Sequence, residues 1–249
     1  MASKKFKGKR CVYCASTPST TADHVFAREF FLPGTPYSPV KVPACAGCNN
    51  EKARLEHYLT AVLPFGGRHV DASENLSAMV PKRLARNVRL HNILAKHAET
   101  VWVKETGELL VPTATLPVDF GKIEQLFKFI VKGVAWNHFG ILFTNENFLV
   151  VLALSKAGEH VFGQRFFTRN VGARVANDLG NGTFMYEGVQ GTDSTSITAW
   201  RFAIYGGLSL GGDPRMPHEG SSVIGAFTGP TRVWDMAALR ARFGPPNTP

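Results

Sequence analysis

The spacing of apolar residues changes along the chain, and that change predicts its elements. Leu55, Tyr58, Leu59 and Val62 fall at i, i+3, i+4 and i+7, one stripe of a helix that Pro64 and Gly66-Gly67 bring to an end. Residues 74–98 read as a second helical region, with Arg83, Arg86 and Arg89 three apart on a solvated face opposite Leu84 and Val88. Ile123, Leu126, Phe127, Ile130, Val131 and Val134 predict an amphipathic helix over 121–138. Beyond it the pattern becomes that of strands. Phe148 to Leu154 is a continuous apolar run, as in a strand buried on both faces. Trp200, Phe202 and Ile204 alternate with Arg201, Ala203 and Tyr205, as in a strand buried on one face. Gly180 to Gly182 and Gly206-Gly207 read as turns, and a short helix is expected from Asp235 to Arg242.

The expected class is therefore α+β, with a boundary at the end of the first helix. Residues 1–64 would form a small module and residues 65–249 a mixed helix and strand domain. Inside the small module, Pro33, Gly34, Pro36, Pro39 and Pro43 forbid a long helix and call for an irregular loop.

The cysteines narrow the chemistry. Cys11, Cys14, Cys45 and Cys48 are all the chain has, and they form two CxxC pairs with 30 residues between Cys14 and Cys45. A disulfide framework is out of keeping with an intracellular chain of this size. A thioredoxin-like site needs a single CxxC after a strand of a parallel α/β unit. Four thiolates in two chelating pairs suit tetrahedral Zn²⁺, and we read them as a structural zinc site.

Composition adds a partner. Charged residues are 19% and hydrophobic residues 44%, a globular balance. Lys and Arg exceed Asp and Glu by 9, and such a positive field suits a polyanion, of which nucleic acid is the commonest in the cytoplasm. No apolar run approaches the roughly 20 residues that span a bilayer. Met1 to Arg10 is basic but lacks the apolar stretch of a secretory signal. A cytoplasmic protein without membrane contact is the expectation. Lys4, Lys5, Lys7, Lys9 and Arg10 form a basic arm suited to the DNA backbone, and Arg28 and Lys52 are further candidates for phosphate contact.

Between the knuckles sits Asp23-His24, and directly after the last cysteine come Asn49 and Asn50, with Lys52 beyond. Phosphodiester hydrolysis needs a base near neutral pH, which histidine supplies, and a hard cation, which carboxylate and amide oxygens hold. Adjacent residues of an extended strand leave opposite faces, so a shared site for Asp23 and His24 requires a bend, a bulge or a metal at the strand end. His57 lies eight residues after Asn49, about 12 Å along a helix, too far to share an ion.

The order CVYC (11–14), ADHVF (22–26), a Pro/Gly loop and VPACAGCNNEK (42–52) resembles the HNH endonucleases of the ββα-metal type with paired zinc knuckles, over residues 11 to about 60. The resemblance implies that His24 is the general base. It implies that Asp23 and Asn49 bind a catalytic ion, usually Mg²⁺, separate from the zinc, and that the substrate is DNA. Two departures stand out. The family's middle asparagine, some nine residues before Asn49, has no counterpart, since that register holds Val40; and Ala27 replaces the proline that often follows DHV-x. The 123–140 stretch resembles, more weakly, a helix found after such modules in bacterial proteins, and no activity is attached to it. Other readings remain: a non-catalytic zinc-dependent nucleic-acid-binding module, or a zinc-stabilised interaction protein. On the blandest of them, Asn49 is only a helix N-cap.

Overall fold

The computed structural model describes residues 4–6, 8–104, 110–168, 171–210 and 223–231. The helix expected at 235–242 lies outside them, as does Lys7. The chain is a mixed α and β protein whose sheets are antiparallel. No helix among the described residues is long and apolar enough to cross a membrane.

The N-terminal part is a hairpin followed by a helix. Strands β1 (Thr21–His24) and β2 (Lys41–Ala44) pair antiparallel, with Asp23 opposite Val42 and His24 opposite Lys41. The pairing runs on past β1, because Val25 N–H donates to Val40 O at 2.9 Å. The proline-bearing loop between them holds one 3-10 turn, Arg28–Phe30. Helix α1 (Ala46–Val62) follows at once, burying Leu55, Leu59 and Val62 as their spacing predicts. A 3-10 turn at Leu63–Gly66, with Pro64 inside it, stops the helix.

The second helical region is broken into pieces. Helix α2 (Val70–Glu74) passes through a π-turn, Asn75–Met79, into α3 (Val80–Arg86); Asn87 then caps α4 (Val88–His97), its Oδ1 accepting from Leu90 N–H. The expected arginine face is redistributed. Arg83 turns inward, donating to Thr60 O and Glu29 O, both at 2.7 Å, and Val88 is 60% exposed. A hairpin of β3 (Glu99–Lys104) and β4 (Leu110–Thr115) follows.

Helix α5 (Phe120–Phe139) is the central helix. Asp119 caps its start by accepting from Lys122 N–H, and Gly140 ends it in the left-handed conformation, φ 68°. All six residues of its predicted apolar stripe are fully buried. Strands β5 (Asn147–Leu154), β6 (Val171–Leu179), β7 (Phe184–Gly191), β8 (Thr198–Ile204) and β9 (Val223–Pro230) form one sheet in the order β5-β9-β8-β7-β6, and α6 (Lys156–Phe166) follows β5. The run at 148–154 is apolar throughout because the sheet is covered on both sides. Val151 and Ala153 join the core that holds α5, while Phe148, Val150, Leu152 and Leu154 pack with Phe162 of α6.

The core does not part at residue 64. Phe26 meets Phe184 at 4.7 Å and Tyr186 at 5.2 Å, and Phe30 meets Phe184 at 5.8 Å. Tyr205 departs from the predicted alternation for the same reason. It stands just past β8 at φ 52°, turns inward instead of to solvent, and donates from its hydroxyl to Phe30 O at 2.8 Å. Its own carbonyl accepts from Arg68 and His69 N–H, both at 2.7 Å.

Gly133 sets the distance between α5 and the hairpin. A Cβ there would lie 2.6 Å from Val25 Cγ2, and Val25 is completely buried and stiff at χ1. Gly133→Ala is expected to lose about 1–3 kcal/mol from overpacking, outweighing the up to about 1 kcal/mol that alanine gains in a helix interior. Urea denaturation of the two proteins measures the difference.

Candidate functional site

The four cysteines are brought together by the elements that flank them. A tight turn at Cys11–Ala15, closed by Ala15 N–H on Cys11 O and with Ala15 at φ 60°, shapes the first knuckle. Val12 N–H donates to Pro43 O at 2.9 Å, which lays this knuckle beside β2. The second knuckle opens α1: Cys45 is its N-cap, and Cys45 Sγ accepts from Cys48 N–H at 3.5 Å. No disulfide joins any pair, and all four sulfurs lie within 4.8 Å of one another. A tetrahedral ion at Zn–S distances near 2.3 Å places its sulfurs roughly 3.8 Å apart. The donor set and its spacing therefore fit a metal such as zinc. Lys132 of α5 stands against the same knuckle, donating from Nζ to Tyr13 O at 2.6 Å. Burial pulls its pKa down, and the neighbouring cysteines pull the other way.

Beside this cluster lies a buried ionic network. Lys52, from the second turn of α1, has no exposed surface. Its Nζ donates to His24 O at 2.6 Å and to Glu56 Oε1, and it pairs with Asp23 Oδ2 at 3.2 Å. The candidate role of Lys52 in phosphate contact is corrected by this: three protein oxygens use its ammonium, and none of it reaches solvent. Asp23 Oδ2 also accepts from the Tyr13 hydroxyl at 2.5 Å. Burial, with the Asp23 carboxylate behind it, pushes the Tyr13 pKa far up, so that hydroxyl stays a donor. Glu56 is raised to about 7 by burial, against the opposing pull of Lys52.

His24 leaves the other face of β1. The strand carries no bulge, so Asp23 points to Tyr13 and Lys52 while His24 meets Arg28, whose Nη2 lies 3.2 Å from His24 Nε2. A guanidinium can only donate, so that nitrogen is the unprotonated one. Partial burial, followed by the charges of Arg28 and Lys41, lowers the His24 pKa. Asn49 lies in the first turn of α1, three residues before Lys52 and half-buried, and its side chain has no hydrogen-bond partner among the described residues. The N-cap reading of Asn49 fails, because Cys45 occupies that place. His57 is exposed on α1.

The basic arm is not a free tail over its described part. Lys4–Phe6 form a 3-10 turn, Phe6 is buried edge-on against Trp136 with ring centroids 6.1 Å apart, and Lys9 Nζ lies 5.6 Å from the Trp136 ring. Lys9 O accepts from Ser19 N–H at 2.7 Å. Lys5, Lys9 and Arg10 remain exposed on this fixed ledge.

No family model, no curated protein and no solved structure matches this chain. The site's reading therefore rests on its own geometry. That geometry also brings in residues to which the sequence pattern assigned no role: Tyr13, Glu56, Lys132 and Tyr37. Tyr37 stacks on Phe31 at 4.1 Å, and its buried hydroxyl has no hydrogen-bond partner among the described residues. Two of the four left a signal in the sequence. Tyr13 sits inside the first CxxC and must lie against the cluster, and Lys52 with Glu56 is an i,i+4 pair on one helix face.

Protein purified without chelators is expected to carry about one zinc per chain by elemental analysis. Cys45→Ser should lower that content and destabilise the fold, because site energy and folding energy are linked; metal-free protein of unchanged stability would exclude the site. A second expectation concerns pH. The folded-state pKa of Glu56 lies above its ordinary value, so its contribution favours folding fully below about 4.5 and is lost as pH rises through about 7. Between those values the stability of wild type should fall relative to Glu56→Gln, which lacks the titration; parallel urea midpoints across that range would refute it.

Proposed function

We propose that this protein is a metal-dependent nuclease of the HNH kind that hydrolyses DNA phosphodiester bonds, with His24 as the general base. One observation carries the reading. A β1–β2–α1 unit, whose start and whose β2–α1 junction are tied together by a four-cysteine cluster, holds at a strand end a half-exposed imidazole with a lowered pKa, against Arg28 and directly across the ladder from Lys41. A base must be unprotonated at the working pH, and a phosphate substrate needs positive charge beside it.

On this reading His24 Nε2 withdraws the proton of the attacking water once Arg28 has turned from the imidazole to the phosphate. Lys41, one strand across, adds charge on the same side. Lys52 holds the His24 carbonyl and so fixes the backbone from which the imidazole projects. Asp23 Oδ1 and the Asn49 amide oxygen have no protein partner among the described residues, and they are the groups that would hold Mg²⁺. Two protein ligands with water filling the rest are in keeping with that ion's habits. When bound it supplies positive charge to the scissile phosphate and the leaving oxygen. Zinc at the cysteines is assigned a structural part.

A second reading has its own observation. Asp23 and His24 leave opposite faces of an unbulged strand, and Asp23 Oδ2 is already committed to Tyr13 and Lys52. That favours a zinc-stabilised module that binds nucleic acid without cutting it.

A plasmid-nicking assay with Mg²⁺ decides between them. His24→Ala is expected to lower the rate by about 10²–10⁴-fold, the usual worth of one well-placed base, while zinc content and DNA affinity stay unchanged. Wild-type protein that binds DNA and never nicks it would leave the binding module in place of the nuclease.

A further inference from the structure

Between Glu74 and Glu99 the chain has no acidic residue, yet it carries Lys82, Arg83, Arg86, Arg89 and Lys96. The structure divides these by role. Arg83 is turned inward and bonded to Thr60 O, Glu29 O and Asn75 Oδ1, while Lys82, Arg86, Arg89 and Lys96 are all exposed on α3 and α4. None of the four has an acidic partner or a hydrogen bond among the described residues. Elsewhere Lys122 pairs with Asp119, Lys128 with Glu124 and Arg201 with Glu187. A solvated face of ordinary make-up mixes both signs; this one does not.

From this we infer that α3 and α4 form a docking surface for the phosphate backbone of duplex DNA. Placement supports it. Arg83 bonds the carbonyl of Glu29, next in the chain to Arg28, whose guanidinium meets His24. A duplex lying on α3 is thereby led past the loop that carries Arg28. Helix α4 spans ten residues, about 15 Å, a length a groove or backbone ridge accommodates. Asn87 is the single residue between the two helices, so their cations follow one another closely along the chain.

An anionic membrane surface is the competing partner, because Val88 and Ile93 of α4 and Trp102 of β3 are exposed nearby. The packing argues against it. Leu90 and Leu94, the apolar face of α4, are already used against Ala61 and Val62 of α1. What is left outward is a cationic surface with isolated apolar residues, not the continuous apolar stripe that inserts into lipid.

The placement beside His24 rests on the nuclease reading; the docking itself rests on charge alone. The test therefore reads binding and not cleavage, using the His24→Ala chain throughout. A fluorescent 25-base-pair duplex is titrated at several salt concentrations against that chain and against one also carrying Lys82→Gln, Arg86→Gln, Arg89→Gln and Lys96→Gln. All four side chains are exposed, and thermal unfolding checks that the fold survives. Affinity should fall at least tenfold, and the slope of log K against log salt should flatten by up to about 3.6, near 0.9 for each phosphate that is no longer neutralised. Equal affinity and equal slope overturn the inference. So does a parent chain that binds phosphatidylserine–phosphatidylcholine vesicles and not the duplex. Absence of nicking in wild type would overturn the nuclease and leave this result untouched.

Discussion

A lysine with no exposed surface is stable in a protein only if its charge is met on the spot, and the N-terminal half of this chain is arranged around that requirement. The Lys52 ammonium is held by the Asp23 and Glu56 carboxylates and the His24 carbonyl, which belong to α1 and to β1. Removing one partner of such a buried set typically costs about 3–5 kcal/mol, because the other charges are left without compensation. Helix and hairpin are thus locked in one register. The same lock fixes Asp23, and through it Tyr13, against the first cysteine knuckle. The cysteine cluster and the backbone that carries the His24 imidazole are thus joined by a single polar assembly.

Much of the fold was legible because the apolar spacing was clean. The stripe on α5 is buried residue for residue and that on α1 at Leu55, Leu59 and Val62, with Tyr58 half-buried; the unbroken run at 148–154 marks a strand covered by α5 on one side and α6 on the other. What could not be read was direction. Tyr205 follows the strand's alternation in sequence but turns inward, since a positive φ just past β8 rotates it toward Phe30. Arg83 shares a period with Arg86 and Arg89, yet it reaches inward from α3 to the carbonyls of Thr60 and Glu29, while the break at Asn87 puts Arg89 on a separate helix. Local pattern records the period of an element, and long-range contacts set its phase.

The candidate site divides in the same way. The cysteine cluster was legible because chelating spacing is a short-range property, and the sulfurs do gather within 4.8 Å. The neighbourhood of Asp23 and His24 was not, because a regular strand sends them to opposite sides and the partner of each comes from elsewhere: Lys52 from α1, Arg28 from the loop. Lys52 looked like a surface cation beside its cysteine. Only the packing of α1 on β1 reveals that it is the counterion of the acid.

The aromatic core shared across residue 64 has one more consequence. Phe26 and Phe30 are packed on Phe184, and Tyr205 bonds the Phe30 carbonyl, so the hairpin and the large sheet have no separate interiors. Loss of order at the knuckles would expose the underside of the sheet as well, and the whole chain would unfold as one cooperative unit. Cells clear proteins according to how often they unfold. Where a metal holds the four sulfurs together, the lifetime of this chain, and not only the geometry of its site, would follow the supply of that metal.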